Sequence, residues 1–68
     1  MFHNRIKEIR RSLGVTQAWL AEAAGVARAT IADIEAELHI PAADKALLIA
    51  QALNCCFEDI FYFDDRKQ

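Results

Sequence analysis

No stretch of the chain approaches the roughly 20 continuous apolar residues of a membrane span, so a membrane partner is not expected. The first ten residues, Met1 to Arg10, lack the apolar centre of a secretory signal, and the expected compartment is the cytoplasm. Cysteine is scarce. Cys55 and Cys56 are adjacent, and neighbouring residues neither form an ordinary structural bridge with each other nor show metal-ligand spacing. Free, reduced thiols or a bridge between subunits across a two-fold axis remain. His3 and His39 stand far apart with no H-E-x-x-H or similar pattern around them, so no metal and no cofactor are expected. No set of nucleophile, base and orienting residue can be read, and so short a chain has little room for a substrate pocket; this argues against an enzyme and gives no sign of a small-molecule ligand. Repeats, low-complexity segments and linkers are also missing, so residues 1–68 read as a single domain.

Basic charge is also short: the formal net charge is −2, whereas a nucleic-acid partner normally demands a basic footprint. The distribution changes that reading. Up to Ala32 the chain carries Arg5, Lys7, Arg10, Arg11 and Arg28 against Glu8 and Glu22, a balance of +3. From Asp33 onward Lys45, Arg66 and Lys67 face eight carboxylates, a balance of −5. A basic first half can face DNA while the acidic half faces away. With 54% hydrophobic and 26% charged residues the chain should fold. At 68 residues, however, a domain buries only about 60% of its unfolded surface and gains from association.

The few glycines and the one proline act as punctuation. Ile6, Ile9 and Leu13 fall at helical spacing behind Asn4, a good N-cap residue, which predicts a first helix over about Arg5 to Leu13, closed by Gly14. Thr16 caps a second helix, Gln17 to Ala24, with Leu20, Ala21 and Ala24 inward and Gly25 as its left-handed stop. The third helix is predicted from about Arg28 to Glu37, with Ile31, Ile34 and Leu38 inward, and Pro41 closes the connection after it. A fourth, from about Ala43 to Leu53, carries Leu47, Ala50 and Leu53 as its core stripe and stops at Asn54; a short fifth covers Phe57 to Phe61. The aromatic tail Phe61, Tyr62 and Phe63 is strand-prone and can pair with Phe2 and His3 as a small ribbon. The expected class is all-α, five helices with a short terminal β-ribbon.

The segment from Gln17 to Ile34 places two short helices around a tight turn containing Gly25, the definition of a helix-turn-helix. Small Ala21 permits close crossing, and Val26, Ile31 and Ile34 lock the third helix to the core. A plain helical hairpin without a DNA role is the bland alternative. Over nearly its whole length, and through Arg10, Gly14, Val15, Thr16, Gln17, Leu20, Ala21, Gly25, Val26, Arg28, Thr30, Ile31, Ile34 and Glu35 in particular, the chain resembles the Cro/C1-type, or XRE-like, transcriptional repressors.

That resemblance implies a lambda-repressor-like domain with the third helix in the major groove and the second across the backbone. It implies a DNA-binding set of Thr16, Gln17, Ala27, Arg28, Ala29, Thr30, Ala32, Asp33 and Arg11, with Gln17 orienting on phosphate. It also implies that Arg10 and Glu35 form an internal ion pair that is structural rather than DNA-contacting. Outward positions 28, 29, 32 and 33 would meet base edges: Arg28 suits guanine, Asp33 cytosine, and the alanines thymine methyls. The sequence departs from the family at this surface. Ala27 replaces the usual capping Ser or Thr, Ala29 and Ala32 replace polar residues, Asp33 stands where a basic or amide residue is common, and Glu37 where the helix tends to end with glycine. Two readings follow: an operator chosen partly through DNA shape, or a protein-interaction module with little DNA affinity. Trp19 either folds onto the core or stays exposed. Ile40, Leu48, Phe57 and Phe61 are apolar beyond the needs of a small core and form the expected homodimer surface.

Overall fold

Left-handed turns decide where each helix stops. In the computed structural model, which describes residues 2–64, helix α1 (Ile6–Leu13) ends at Gly14, φ 73°. There the N–H groups of Gly14 and Val15 donate to the carbonyls of Arg11 and Arg10, closing the last turn. Helix α2 (Gln17–Ala24) begins at Thr16, whose hydroxyl accepts from the Trp19 N–H at 3.0 Å, and ends at Gly25, φ 73°. Helix α3 (Arg28–Glu35) follows after Gly25, Val26 and Ala27. Helix α4 (Ala43–Leu53) stops at Asn54, φ 57°, and α5 (Phe57–Ile60) is a single turn. Strands β1 (Phe2–Asn4) and β2 (Phe61–Phe63) pair antiparallel, Phe2 opposite Phe63, His3 opposite Tyr62 and Asn4 opposite Phe61. The ribbon brings the two ends of the described chain together. The Arg5 N–H extends it by donating to the Ile60 carbonyl at 2.8 Å.

The core draws on all five helices and β2: Ile6 from α1, Leu20, Ala21 and Ala24 from α2, Ile31 and Ile34 from α3, Ala46, Ile49, Ala50 and Leu53 from α4, then Ile60 and Phe61. Helix α2 packs against both α3 and α4, and α1 meets each of its neighbours more sparsely. Phe61 stacks on Phe2 and meets Phe57 at a tilt, ring centroids 5.7 and 4.9 Å apart. No helix among the described residues is long and apolar enough to cross a membrane. Met1 and residues 65–68 of the expected domain lie outside the described residues.

Several expectations need correction. Helix α3 ends at Glu35, two residues earlier than its pattern predicts, because Glu37 turns left-handed at φ 62°. The Glu37 and Leu38 N–H groups then donate back to the Ile34 and Asp33 carbonyls, and Leu38 is carried outward, 79% exposed. Leu47 is likewise exposed: the true stripe of α4 is Ala46, Ile49, Ala50 and Leu53, and Leu47 lies about 100° from Ala46 around the helix. Leu13, the last residue of α1, is also more exposed than its spacing suggests. Asn4 belongs to β1, and Arg5 occupies the N-cap position without a side-chain cap. The Asn4 Oδ1 still accepts from the Ile6 N–H at 3.2 Å. Phe61, expected at the dimer surface and at the end of α5, is a strand residue inside the protomer's own core.

A Cβ added at Gly25 would meet no atom within 4 Å, so the only obstacle to alanine there is the left-handed backbone, which costs about 1–2 kcal/mol. Gly25→Ala is expected to lower stability by that amount, and Gly25→Asn by less, since asparagine tolerates this conformation. Thermal melts of the two variants read the difference; equal melting temperatures would show that φ is not what constrains this position.

Candidate nucleic-acid interface

The outward side of α3 is set by the burial of Ile31 and Ile34. Opposite them at helical spacing lie Arg28, Ala29 and Asp33, exposed, and Ala32, half-buried. Thr30 sits half-buried on the flank. Ala27 occupies the N-cap position of α3 and offers no side-chain cap, so its backbone carbonyl, accepting from the Thr30 and Ile31 N–H groups, makes the entry alone. Beside this end of α3 lies an open recess of about 420 Å³ lined by Arg10, Thr16, Gln17, Ala18 and Arg28. It joins the start of α2 to the start of α3. Among the expected DNA-binding residues, Thr16, Gln17 and Arg28 are therefore gathered around one concavity, while Ala29, Ala32 and Asp33 continue along the α3 surface. Arg11 is exposed on α1 and does not line the recess.

Two residues that line the recess, Arg10 and Gln17, belong to a charged network. Arg10 donates through Nε to Glu35 Oε2 at 2.8 Å and through Nη2 to Oε1 at 3.2 Å, while its Nη1 donates to the Val15 carbonyl at 3.1 Å. Gln17 Nε2 donates to Glu35 Oε1 at 3.0 Å, so the amide expected to orient on phosphate is anchored from within. The Arg10 and Glu35 side chains are 11% and 4% exposed. Burial opposes ionisation of Glu35, but hydrogen bonds from Arg10 and Gln17, with the positive charges of Arg10 and Lys7, outweigh it and hold the carboxyl below its ordinary value. The hydrogen bond to Glu35 raises the Arg10 guanidinium, against the pull of burial.

Sequence reasoning missed Ala18 as a wall of the recess, although its place beside Gln17 at the start of α2 was a usable signal. It also missed His3, Asn4 and Glu37, which meet at the far end of α3: His3 Nδ1 lies 3.0 and 3.1 Å from the two Glu37 oxygens, and Asn4 Nδ2 donates to the Ile34 carbonyl at 2.8 Å. No sequence spacing marks residues more than 30 positions apart. Of the expected association residues, Ile40 is 68% exposed and Leu48 and Phe57 are partly exposed; of the two alternatives for Trp19, it stays exposed. Cys55 and Cys56 are free thiols, the first half-buried and the second exposed. No cluster of three or more His, Cys, Asp or Glu able to hold a metal occurs among the described residues.

A helix-turn-helix family model matches residues 6–60. The chain is 41% identical over 63 residues to an uncharacterised helix-turn-helix-type transcriptional regulator of Archaeoglobus fulgidus, covering 93% of this chain and 90% of that one. It is 37% identical over 64 residues to the Bacillus subtilis regulator YgzD, likewise uncharacterised, covering 94% and 97%. Among solved structures it is similar to the restriction-modification controller protein C.AhdI of Aeromonas hydrophila, with a TM-score of 0.78, 25% identity and coverage of 81% and 83%. A candidate DNA-binding protein from Bacteroides fragilis matches with a TM-score of 0.82, 29% identity and coverage of 91% and 100%.

Removing Glu35 leaves the Arg10 guanidinium nearly buried without its counter-charge. Glu35→Ala is expected to cost about 1–3 kcal/mol, between the under about 1 of a surface pair and the roughly 3–5 of a fully buried one. Because the folded-state pKa of Glu35 is lowered, its contribution is fully present above the unfolded glutamate value of about 4.3 and is lost as pH falls through the folded value. Urea unfolding of the natural chain and of Glu35→Gln between pH 3 and 7 should show the acid decline flattened in the variant. Parallel curves would place the acid sensitivity elsewhere.

Proposed function

This chain belongs to the Cro/C1-type helix-turn-helix family, and from that premise we propose that it is a sequence-specific transcriptional repressor acting as a homodimer on a pseudo-palindromic operator. A member of this family is a binding protein, not an enzyme. The observation that carries the proposal is the outward face of α3, with Arg28 at its start beside the recess and the Arg10–Glu35–Gln17 network holding its base. In this reading the face enters the major groove and α2 crosses the backbone. Thr16, Gln17 and Ala18 meet phosphate, Arg28 reads guanine with two hydrogen bonds, and Ala29 and Ala32 give methyl contacts. Ala27 and Thr30 flank them, and Arg11 adds charge from α1. The site of action is the cytoplasm, where bacterial and archaeal DNA lies.

The homodimer is argued from the surplus of apolar surface in the C-terminal half. Leu38, Ile40, Leu47, Leu48 and Phe57 are all exposed at least in part, whereas the protomer's core is small and association stabilises so short a chain. Two copies related by a two-fold axis would place two α3 helices one DNA turn apart, about 34–36 Å.

The deciding experiment selects bound duplexes from a random DNA pool. Arg28→Ala is expected to lose about 1–3 kcal/mol on the selected duplex and to relax preference at one base pair of each half-site. Asp33→Lys is expected to tighten binding to scrambled duplex and steepen its salt dependence by about 0.9 in log–log slope. If neither substitution changes binding to either duplex, α3 is not the reading element and a protein-interaction module becomes the better account. Sedimentation at micromolar concentration tests the dimer: Ile40→Glu, which adds charge without disturbing the Phe57–Phe61 ring contact, should yield monomer, and a natural chain that is monomeric throughout would remove this half of the proposal.

A further inference from the structure

Helix α3 is held unevenly. Its first turn has no side-chain cap, yet beyond its last residue the backbone adopts a conformation that glycine accepts freely and glutamate does not: Glu37 lies at φ 62°. A strained residue that persists is over-determined by its surroundings, and the surroundings of Glu37 are the terminal ribbon. Its carboxylate meets His3 Nδ1 at 3.0 and 3.1 Å and accepts the Asn4 N–H at 3.4 Å. The bond with His3 is the leading cause holding the Glu37 carboxyl below its ordinary value. An ionised carboxylate only accepts, so Nδ1 carries the proton in this contact.

Asn4 makes the second grip. Its Nδ2 donates at 2.8 Å to the Ile34 carbonyl, one of the last of α3, while its Oδ1 accepts from the Ile6 N–H at the start of α1. One side chain thus joins β1, the beginning of α1 and the end of α3. The ribbon is itself braced. The His3 ring lies 5.4 Å from Tyr62, its Nε2 is 4.0 Å from Asp64 Oδ2, and the Arg5 guanidinium sits 4.0 Å from the Tyr62 ring centroid.

We propose that His3 and Asn4 of the terminal ribbon are positioning residues for DNA recognition, gripping Glu37 and the Ile34 carbonyl so that the C-terminal end of α3 is fixed relative to α1. The inference rests on the reading of α3 as the helix that enters DNA. Residues of β1 touch no base in this account; they act through Glu37 and Ile34 by setting the angle at which Arg28 and the α3 face are presented.

Glycine at position 37 separates this role from its competitors. Glu37→Gly relieves the left-handed backbone while deleting the grip, so the fold should persist. Were Glu37 merely a surface carboxylate near phosphate, its removal would tighten DNA binding. The clamp requires the opposite sign. The experiment titrates the natural chain, Glu37→Gly and Asn4→Ala against a duplex selected by the natural chain and against a scrambled duplex, with thermal melts and amide exchange of residues 34–38 in the free proteins. Expected are a melting temperature for Glu37→Gly within a few degrees of the natural chain and faster exchange at the end of α3. Affinity for the selected duplex should fall at least fivefold in both variants, with scrambled-duplex binding no weaker. Selected-duplex binding as tight as the natural chain's, or tighter, in both variants overturns the clamp while leaving the DNA-binding reading intact. A natural chain that selects no duplex overturns that reading, and the clamp with it.

Discussion

The carboxylate of Glu35 is where the N-terminal half of this fold is assembled. Helix α1 packs sparsely on its neighbours, and apolar packing through Ile6 and, in part, Ile9 would leave its far end, where Leu13 is exposed, weakly placed. The Arg10 fork closes that gap, reaching from α1 to α3 while its remaining nitrogen takes the Val15 carbonyl of the α1–α2 turn, and Gln17 brings in the first turn of α2. A buried pair adds little net stability over a well-packed apolar contact of the same volume. What this one supplies is geometry: a planar guanidinium bound at two oxygens admits few arrangements, so three helices are fixed relative to one another around a single acid. The recess beside Arg28 exists because those three helices converge there without filling the space.

The parts of this arrangement that follow from local chemistry were legible in the sequence. Gly14, Gly25 and Asn54 are residues that tolerate a left-handed backbone, and all three stop helices; Thr16 is a hydroxyl at the right place and caps α2. The terminal ribbon was also readable, since Phe61, Tyr62 and Phe63 have strand chemistry and only one aromatic partner segment exists near the other end. Where local chemistry misleads, the reading failed. Glutamate is a good helix former, so nothing at position 37 announces a stop, and the third helix was extended two residues with Leu38 turned inward. In α4 the error has another source. Leu47, Ala50 and Leu53 form a plausible stripe, but Ala46, Ile49, Ala50 and Leu53 are the buried one, the small alanines allowing α4 to lie close on α2, against which it packs. Side-chain size, on which the sequence pattern relied, favoured the wrong face.

The candidate site divides along the same line. Thr16, Gln17 and Arg28 fall around one recess through a turn of fixed length, and such local spacing is readable. The contacts of His3 and Asn4 with the end of α3 arise only because β1 pairs with β2, whose position depends on the packing of α4 and α5. That chain of causes is tertiary throughout. Phe61 illustrates the same limit from the other side: an aromatic residue near the end of a small chain looks like surplus surface until the ribbon folds it under Phe2 and Phe57.

Charge and apolar surface are consequently partitioned by the fold as well as by the sequence. Arg10 and Arg28 line the recess at the start of α3, while Leu38, Ile40, Leu47, Leu48 and Phe57, exposed at least in part, all lie after its end, in the part of the chain that holds most of the carboxylates. A surface rich in carboxylates is a poor approach to phosphate and, with apolar groups interspersed, a reasonable approach to another protein surface. Asp33 brings a carboxylate onto the outward face of α3 itself. Beside Ala29 and Ala32 it leaves Arg28 as the one cationic side chain on that face; with α3 as the helix proposed to enter DNA, discrimination between sequences would lean on the angle and depth at which α3 is presented more than on the number of groups it carries. For a helix so poor in hydrogen-bonding side chains, the contacts that hold its C-terminal end, Arg10 and Gln17 on Glu35 and the ribbon on Ile34 and Glu37, would then become part of the recognition chemistry.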